Sequence, residues 1–122
     1  MMDLNTPQIQ TKEHVHRYFS DRNISRGVVI FVSEVCNPCK AYKELLSRYF
    51  NSVSVDVKNR FLLINVSHLP REMLQNDNYI VRQFGVQTVP STFVVEVQDK
   101  NNLGMSFYRT PSSINELNSL IA

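Results

Sequence analysis

The chain has 122 residues, 43% of them hydrophobic and 20% charged, which is enough for a core that needs no staples, and residues 1–122 are read as one domain. A net charge of +2, scattered along the chain, excludes the strongly basic surface of a nucleic-acid binder, and no apolar run approaches a bilayer span. The chain does not open on a basic segment followed by an apolar block, so no secretory signal is read and the cytoplasm is the expected compartment.

Residues 1–7 read as a loose terminus and residues 8–10 as a short strand. Thr11 is read as the N-cap of a helix over 12–22, with Val15, Tyr18 and Phe19 on its apolar face and His14 and His16 on or near the polar one. The five apolar residues 28–32 read as a strand buried on both faces. A helix follows from Cys36, with Tyr42, Leu45, Leu46, Tyr49 and Phe50 at the spacing of a helix packed on a sheet. Pro38 falls in its first turn, where a missing N–H costs little. Residues 51–59 read as a polar loop with a short extended piece at 53–57.

Residues 61–66 form a second, nearly continuous apolar run. It is the expected parallel partner of strand 28–32, reached through the intervening helix as a βαβ crossover. Asn65 is out of place there, because a buried amide needs partners. Helical segments are expected over 70–84, broken near Asn76, Asp77 and Asn78, and ended by Gly85. Residues 92–97 and 103–108 alternate around turn chemistry at 99–102 and predict an antiparallel hairpin. A last helix is read from Thr110 and Pro111 to Ile121, with Ser113 and Glu116 as a capping box. The order is β-α-β-α-β-α-β-β-α. This is an α/β fold whose mixed central sheet, parallel strands plus a C-terminal antiparallel hairpin, carries helices on both faces.

The chemistry sits at Cys36 and Cys39, the chain's only cysteines. They are not spread as a scaffold of structural disulfides is, and a Cys-x-x-Cys at a strand–helix junction in a cytosolic chain reads as redox-active. A helix N-terminus offers unpaired N–H groups and the positive end of the helix dipole. Both favour a thiolate, the form of cysteine that attacks disulfides. Cys36, at the helix start and more exposed, is the expected attacking thiol, and Cys39, one turn in, the resolving thiol. Lys40 favours the thiolate a little and Glu34 opposes it. Pro38 limits the freedom of the turn, and Asn37 offers an amide near the sulfur.

With Cys-Asn-Pro-Cys after a buried strand, Val89-Pro90 immediately before a late strand, and a terminal β-β-α, the chain resembles the thioredoxin family from about residue 8 to its end. The resemblance implies a thioredoxin fold, a cis peptide bond at Val89–Pro90 facing the dithiol, and a substrate-binding backbone beside it. Asn37 and Pro38 complete the implied substrate surface. It also implies disulfide-containing proteins as substrates and a thioredoxin-reductase-like flavoenzyme as electron donor. The chain departs from the family in four places. Val35 stands where an aromatic residue is common, and Asn37-Pro38 replaces Gly-Pro. Ile30 stands where the family often buries an aspartate that accepts the second thiol's proton, and Leu63 where a lysine is often found near that acid. The Gly-Gly signature by which glutaredoxins bind glutathione is absent, so no dedicated glutathione site is expected.

Three readings follow. The first is a protein-disulfide oxidoreductase. The residues leave reductant, oxidant and isomerase open, and the cytoplasmic reading favours a reductant. The second is a thioredoxin-like interaction module with little turnover, which the missing acid favours. The third is half of a zinc site. His14, His16 and His68 lack the spacing to complete one, so they are read as surface or loop residues and no metal or cofactor is expected.

Overall fold

A computed structural model describes residues 9–122. Its elements in chain order are α1 (Lys12–Asp21), β1 (Arg26–Val32), α2 (Asn37–Asn51), α3 (Val55–Lys58), β2 (Phe61–Asn65), a 3₁₀ turn (Val66–His68), α4 (Arg71–Gln75), α5 (Ile80–Gln83), β3 (Ser91–Val97), β4 (Leu103–Tyr108) and α6 (Ile114–Leu120). The four strands form one mixed sheet in the order β2-β1-β3-β4. β1 and β2 run parallel with Ile30 opposite Leu63, as the α2 crossover requires. β3 is antiparallel to β1, with Thr92 opposite Ile30, and β4 returns antiparallel to β3.

Alternation along these strands sorts the core into two clusters, one on each face. Val28, Ile30, Phe61, Leu63 and Val94 pack under α2 and α6, against Leu46, Tyr49, Leu117 and Leu120. Val29, Phe31, Leu62, Phe93 and Val95 pack on the other face against Val15 and Phe19 of α1 and Ile80 of α5. Each cluster holds a triad of rings in edge or tilted contact. In one, Tyr49, Phe50 and Phe61 have centroids 5.4–5.7 Å apart. In the other, Phe31, Phe84 and Phe93 lie 5.2–5.8 Å apart. These spacings suit the ring quadrupoles. No helix among the described residues is long and apolar enough to cross a membrane.

Several elements differ from the sequence reading. The loose terminus expected at 1–7, and Gln8 of the first expected strand, lie outside the described residues. Ile9 and Gln10 form no strand. The Gln10 N–H goes to His14 Nδ1 (3.0 Å), and its carbonyl accepts from the Ile80 N–H (2.8 Å), so helices take up both groups before a ladder can. The extended piece expected at 53–57 is instead the helical turn α3, capped where Ser54 Oγ accepts from the Val57 N–H. The last helix starts at Ile114, later than expected, and has half of its capping box. Ser113 Oγ accepts from the Glu116 N–H, but the Glu116 carboxylate turns to Ser112 Oγ and Arg109. Asn65 has its partner: Oδ1 accepts from the Ser67 N–H at 3.0 Å and caps the 3₁₀ turn that ends β2. His16, expected at the surface, is buried, and its Nε2 donates to the Asp99 carbonyl at 2.6 Å.

Candidate active site

β1 ends at Val32, and after three intervening residues the chain enters α2 with Cys36 as its N-cap. Asn37 and Pro38 are the first two helical residues, both exposed. Pro38 removes an N–H that would have no partner in this turn. The capping atom is sulfur: the Cys39 N–H donates to Cys36 Sγ at 3.1 Å. This is the bond a Ser or Asp N-cap makes with oxygen, here directed at a group that becomes anionic when it loses its proton.

The two sulfurs are bonded as a Cys36–Cys39 disulfide, their Cα atoms 5.2 Å apart. Their surroundings differ. Cys36 is half-buried, and Val35 beside it is 90% exposed, whereas Cys39 has no exposed surface and belongs to the cluster under α2. A partner approaching from solvent meets Cys36 first.

The Val89–Pro90 peptide bond is cis and leads directly into β3. The Val89 carbonyl oxygen lies 3.5 Å from Cys36 Sγ, so the late loop faces the dithiol. Val89 and Pro90 are both half-buried. The structure thus brings Cys36, Cys39 and Val89 into contact, with Pro90 adjacent and Asn37 and Pro38 on the exposed turn between the sulfurs.

A polar scaffold that the sequence reading missed holds the loop before Cys36. Ser33 Oγ and Ser67 Oγ are hydrogen-bonded at 3.0 Å, and the Glu34 N–H donates to Ser67 Oγ at 3.1 Å. The Val35 N–H donates to Ser33 Oγ, and Lys43 Nζ to the Ser33 carbonyl. Glu34 Oε1 and His68 Nε2 lie 2.7 Å apart, an ion pair when the imidazole is protonated. The available signal was positional. A serine follows the end of each of two parallel strands, and parallel strands deliver their exits to the same end of a sheet.

Cys39 is buried in a hydrophobic cluster. Ile30 and Leu63, neighbours in register, carry no charge. Tyr42 Oη and Thr92 Oγ1 share a buried hydrogen bond of 2.8 Å. Burial pushes the Tyr42 hydroxyl up to about 12, against a smaller opposing effect of the Thr92 bond, so it stays neutral at physiological pH. No cluster of three or more His, Cys, Asp or Glu side chains suited to a metal ion exists among the described residues.

Solved thioredoxin-fold domains share this architecture. The C-terminal domain of Neisseria meningitidis DsbD, in its oxidised form, aligns with a TM-score of 0.62 at 17% identity over 98% of this chain and 99% of that one. The first thioredoxin domain of mouse protein disulfide-isomerase A4 aligns with a TM-score of 0.59 at 13% identity, over 91% of this chain and 69% of that one. For the J-Trx1 fragment of ERdj5 the TM-score is 0.57 at 21% identity, over 93% of this chain and 49% of that one. No protein-family model matches the sequence, and no curated protein is detectably similar to it. At these identities the likeness is one of fold: the chain has a thioredoxin fold with a bonded Cys-x-x-Cys pair at the start of α2.

Proposed function

We propose that the chain is a thiol–disulfide oxidoreductase that acts on protein disulfides and runs as a reductant where the compartment keeps thiols reduced. The observation that carries this reading is the asymmetry of one bonded pair: an accessible Cys36 and a fully buried Cys39 at a helix start. Cys36 thiolate attacks one sulfur of the substrate disulfide. The Cys36–substrate bond forms, and the other substrate sulfur leaves as a thiolate that takes up a proton. Cys39, deprotonated, then attacks Cys36 Sγ, forming the Cys36–Cys39 bond and expelling the second substrate sulfur as a thiolate, which is protonated in turn. The substrate gains two electrons and the dithiol loses two. A flavoenzyme of the thioredoxin-reductase class, or another dithiol protein, returns them.

In this reading the substrate's extended backbone lies against Val89 and Pro90, over the exposed surface of Asn37 and Pro38. The lone acidic side chain in the loop before the dithiol, Glu34, is engaged by His68. The test is turnover of a model protein disulfide by the reduced protein. Multiple turnovers with an external reductant are expected, with Cys36→Ser inactive and Cys39→Ser accumulating a mixed disulfide on Cys36. Stoichiometric binding of disulfide proteins without turnover would instead establish an interaction module, the reading that Ile30 in place of an acid favours.

A further inference from the structure

Two backbone groups address the Cys36 sulfur with opposite effects. The Cys39 N–H, 3.1 Å away, favours the thiolate. The Val89 carbonyl oxygen lies 3.5 Å from this sulfur in the disulfide, and once that bond is reduced a carbonyl so placed favours the thiol, because it accepts from S–H and repels a negative sulfur. The first group rides on α2 with the sulfur itself. The second sits on the segment entering β3. The separation between α2 and β3 therefore sets the second effect and leaves the first unchanged.

Tyr42 and Thr92 span that separation. Tyr42 lies one turn after Cys39 on the buried face of α2. Helical side chains lean toward the helix N-terminus, so its ring reaches back beneath the turn that carries Cys39. Thr92 lies two residues after Pro90, opposite Ile30 in register, and has no exposed surface. Among the described residues, their 2.8 Å bond is the side-chain hydrogen bond that joins α2 directly to β3, across 50 residues of sequence.

We infer that the Tyr42–Thr92 hydrogen bond is a positioning device: it holds α2 on β3 and so keeps the Val89 carbonyl against Cys36 Sγ. The Cys36 thiol is thereby protonated over a wider pH range. This rests on the proposed reading of Cys36 as the attacking sulfur, and makes Tyr42 and Thr92 regulators of how readily it ionises. The tether does not titrate alongside the thiol, since the Tyr42 hydroxyl stays neutral until far more alkaline pH. It also holds its length only while both oxygens are present, because an apolar replacement leaves packing but no directional bond.

The experiment is the pH profile of Cys36 alkylation by iodoacetamide, read at Cys36 by mass spectrometry. It compares the reduced wild-type chain with Tyr42→Phe, Thr92→Val, Thr92→Ser and the Tyr42→Phe/Thr92→Val double variant. The first two are expected to lower the Cys36 midpoint. The thiolate fraction well below the midpoint should rise about fivefold, the worth of one ordinary hydrogen bond. Thr92→Ser should keep the wild-type midpoint, and the double variant should move no further than the singles. An unmoved or raised midpoint in the folded single variants overturns the inference, and so does a Thr92→Ser midpoint that moves as far as Thr92→Val. If one single variant fails to fold, the other decides. Alkylation needs no exchange partner. A wild-type chain that never exchanges with glutathione therefore sinks the proposed function and still leaves this inference decided by the midpoints.

Discussion

Gly27 has no room for a side chain. A Cβ there would lie 2.5 Å from Phe19 Cε1 and 3.0 Å from the Arg60 carbonyl oxygen. The ring is fully buried, and that carbonyl already accepts from the Val28 N–H, so neither neighbour yields easily. Gly27→Ala is expected to cost about 1–3 kcal/mol, as overpacking in a close-packed core does. The measurement is a lower urea midpoint at unchanged slope. Single residues were also where the sequence was hardest to read. Helical periodicity puts His16 beside Val15 on the flank of α1. Its acceptor comes from the turn at Asp99, 83 residues away. No local window contains that turn. Asn65 was legible as an anomaly, but its role depends on the 3₁₀ turn that begins at the next residue.

At the scale of elements, the long periodic segments were legible and the short ones were not. α2 announces itself by its apolar stripe over 15 residues, and β4 spans the same residues that its alternation predicts. α3 has four residues, too few for a helical period to be distinguished from a strand's, and its only cue is the Ser54 cap. The start of α2 carries a prediction of its own. Cys36 serves as N-cap through sulfur, and serine is a preferred N-cap residue. Cys36→Ser should therefore melt no lower than the reduced wild-type chain, while losing all proposed turnover. Thermal unfolding in reductant checks this and separates loss of chemistry from loss of the helix. The dithiol and the cis peptide that faces it were both legible, one from spacing and one from resemblance. The serine scaffold under the loop was missed, because its signal is a pair of single residues past the ends of two strands expected to be parallel, and only the exact register turns that pair into a contact.

For the whole molecule, the groups with shifted pKa values determine how pH acts on stability. Tyr42 is raised from 10.0 to about 12 in the folded chain, so between these values the unfolded chain sheds its proton first. Stability contributed by the neutral phenol is complete below pH 10 and lost as pH climbs through 12, about 3 kcal/mol over that window. Denaturant midpoints from pH 8 to 12 should show the loss, and Tyr42→Phe should reduce it without abolishing it, because burial also raises the Tyr49 hydroxyl. The carboxylates of Asp99 and Glu116 shift the other way. Asp99 is held below the usual range chiefly by the Asn101 N–H, and Glu116 chiefly by the Ser112 hydroxyl, so their contributions fade as pH falls through the folded-state values. The layered architecture was legible because alternation along each strand assigns every apolar residue a face. Two strand adjacencies were legible as well, β1 with β2 from the crossover and β3 with β4 from the hairpin, whereas the antiparallel seat of β3 on the other side of β1 was not, because alternation names the face a residue points to and says nothing of which strand lies beside it.

β1 occupies an inner position of the sheet, yet the strand on its β3 side arrives late: Arg26 faces Glu96. During synthesis the first crossover and its two cysteines leave the ribosome well before the segment that supplies the Val89 carbonyl. The nascent chain therefore carries a bare apolar edge and an uncovered pair of thiols over the 50 residues of synthesis that separate Cys39 from Val89.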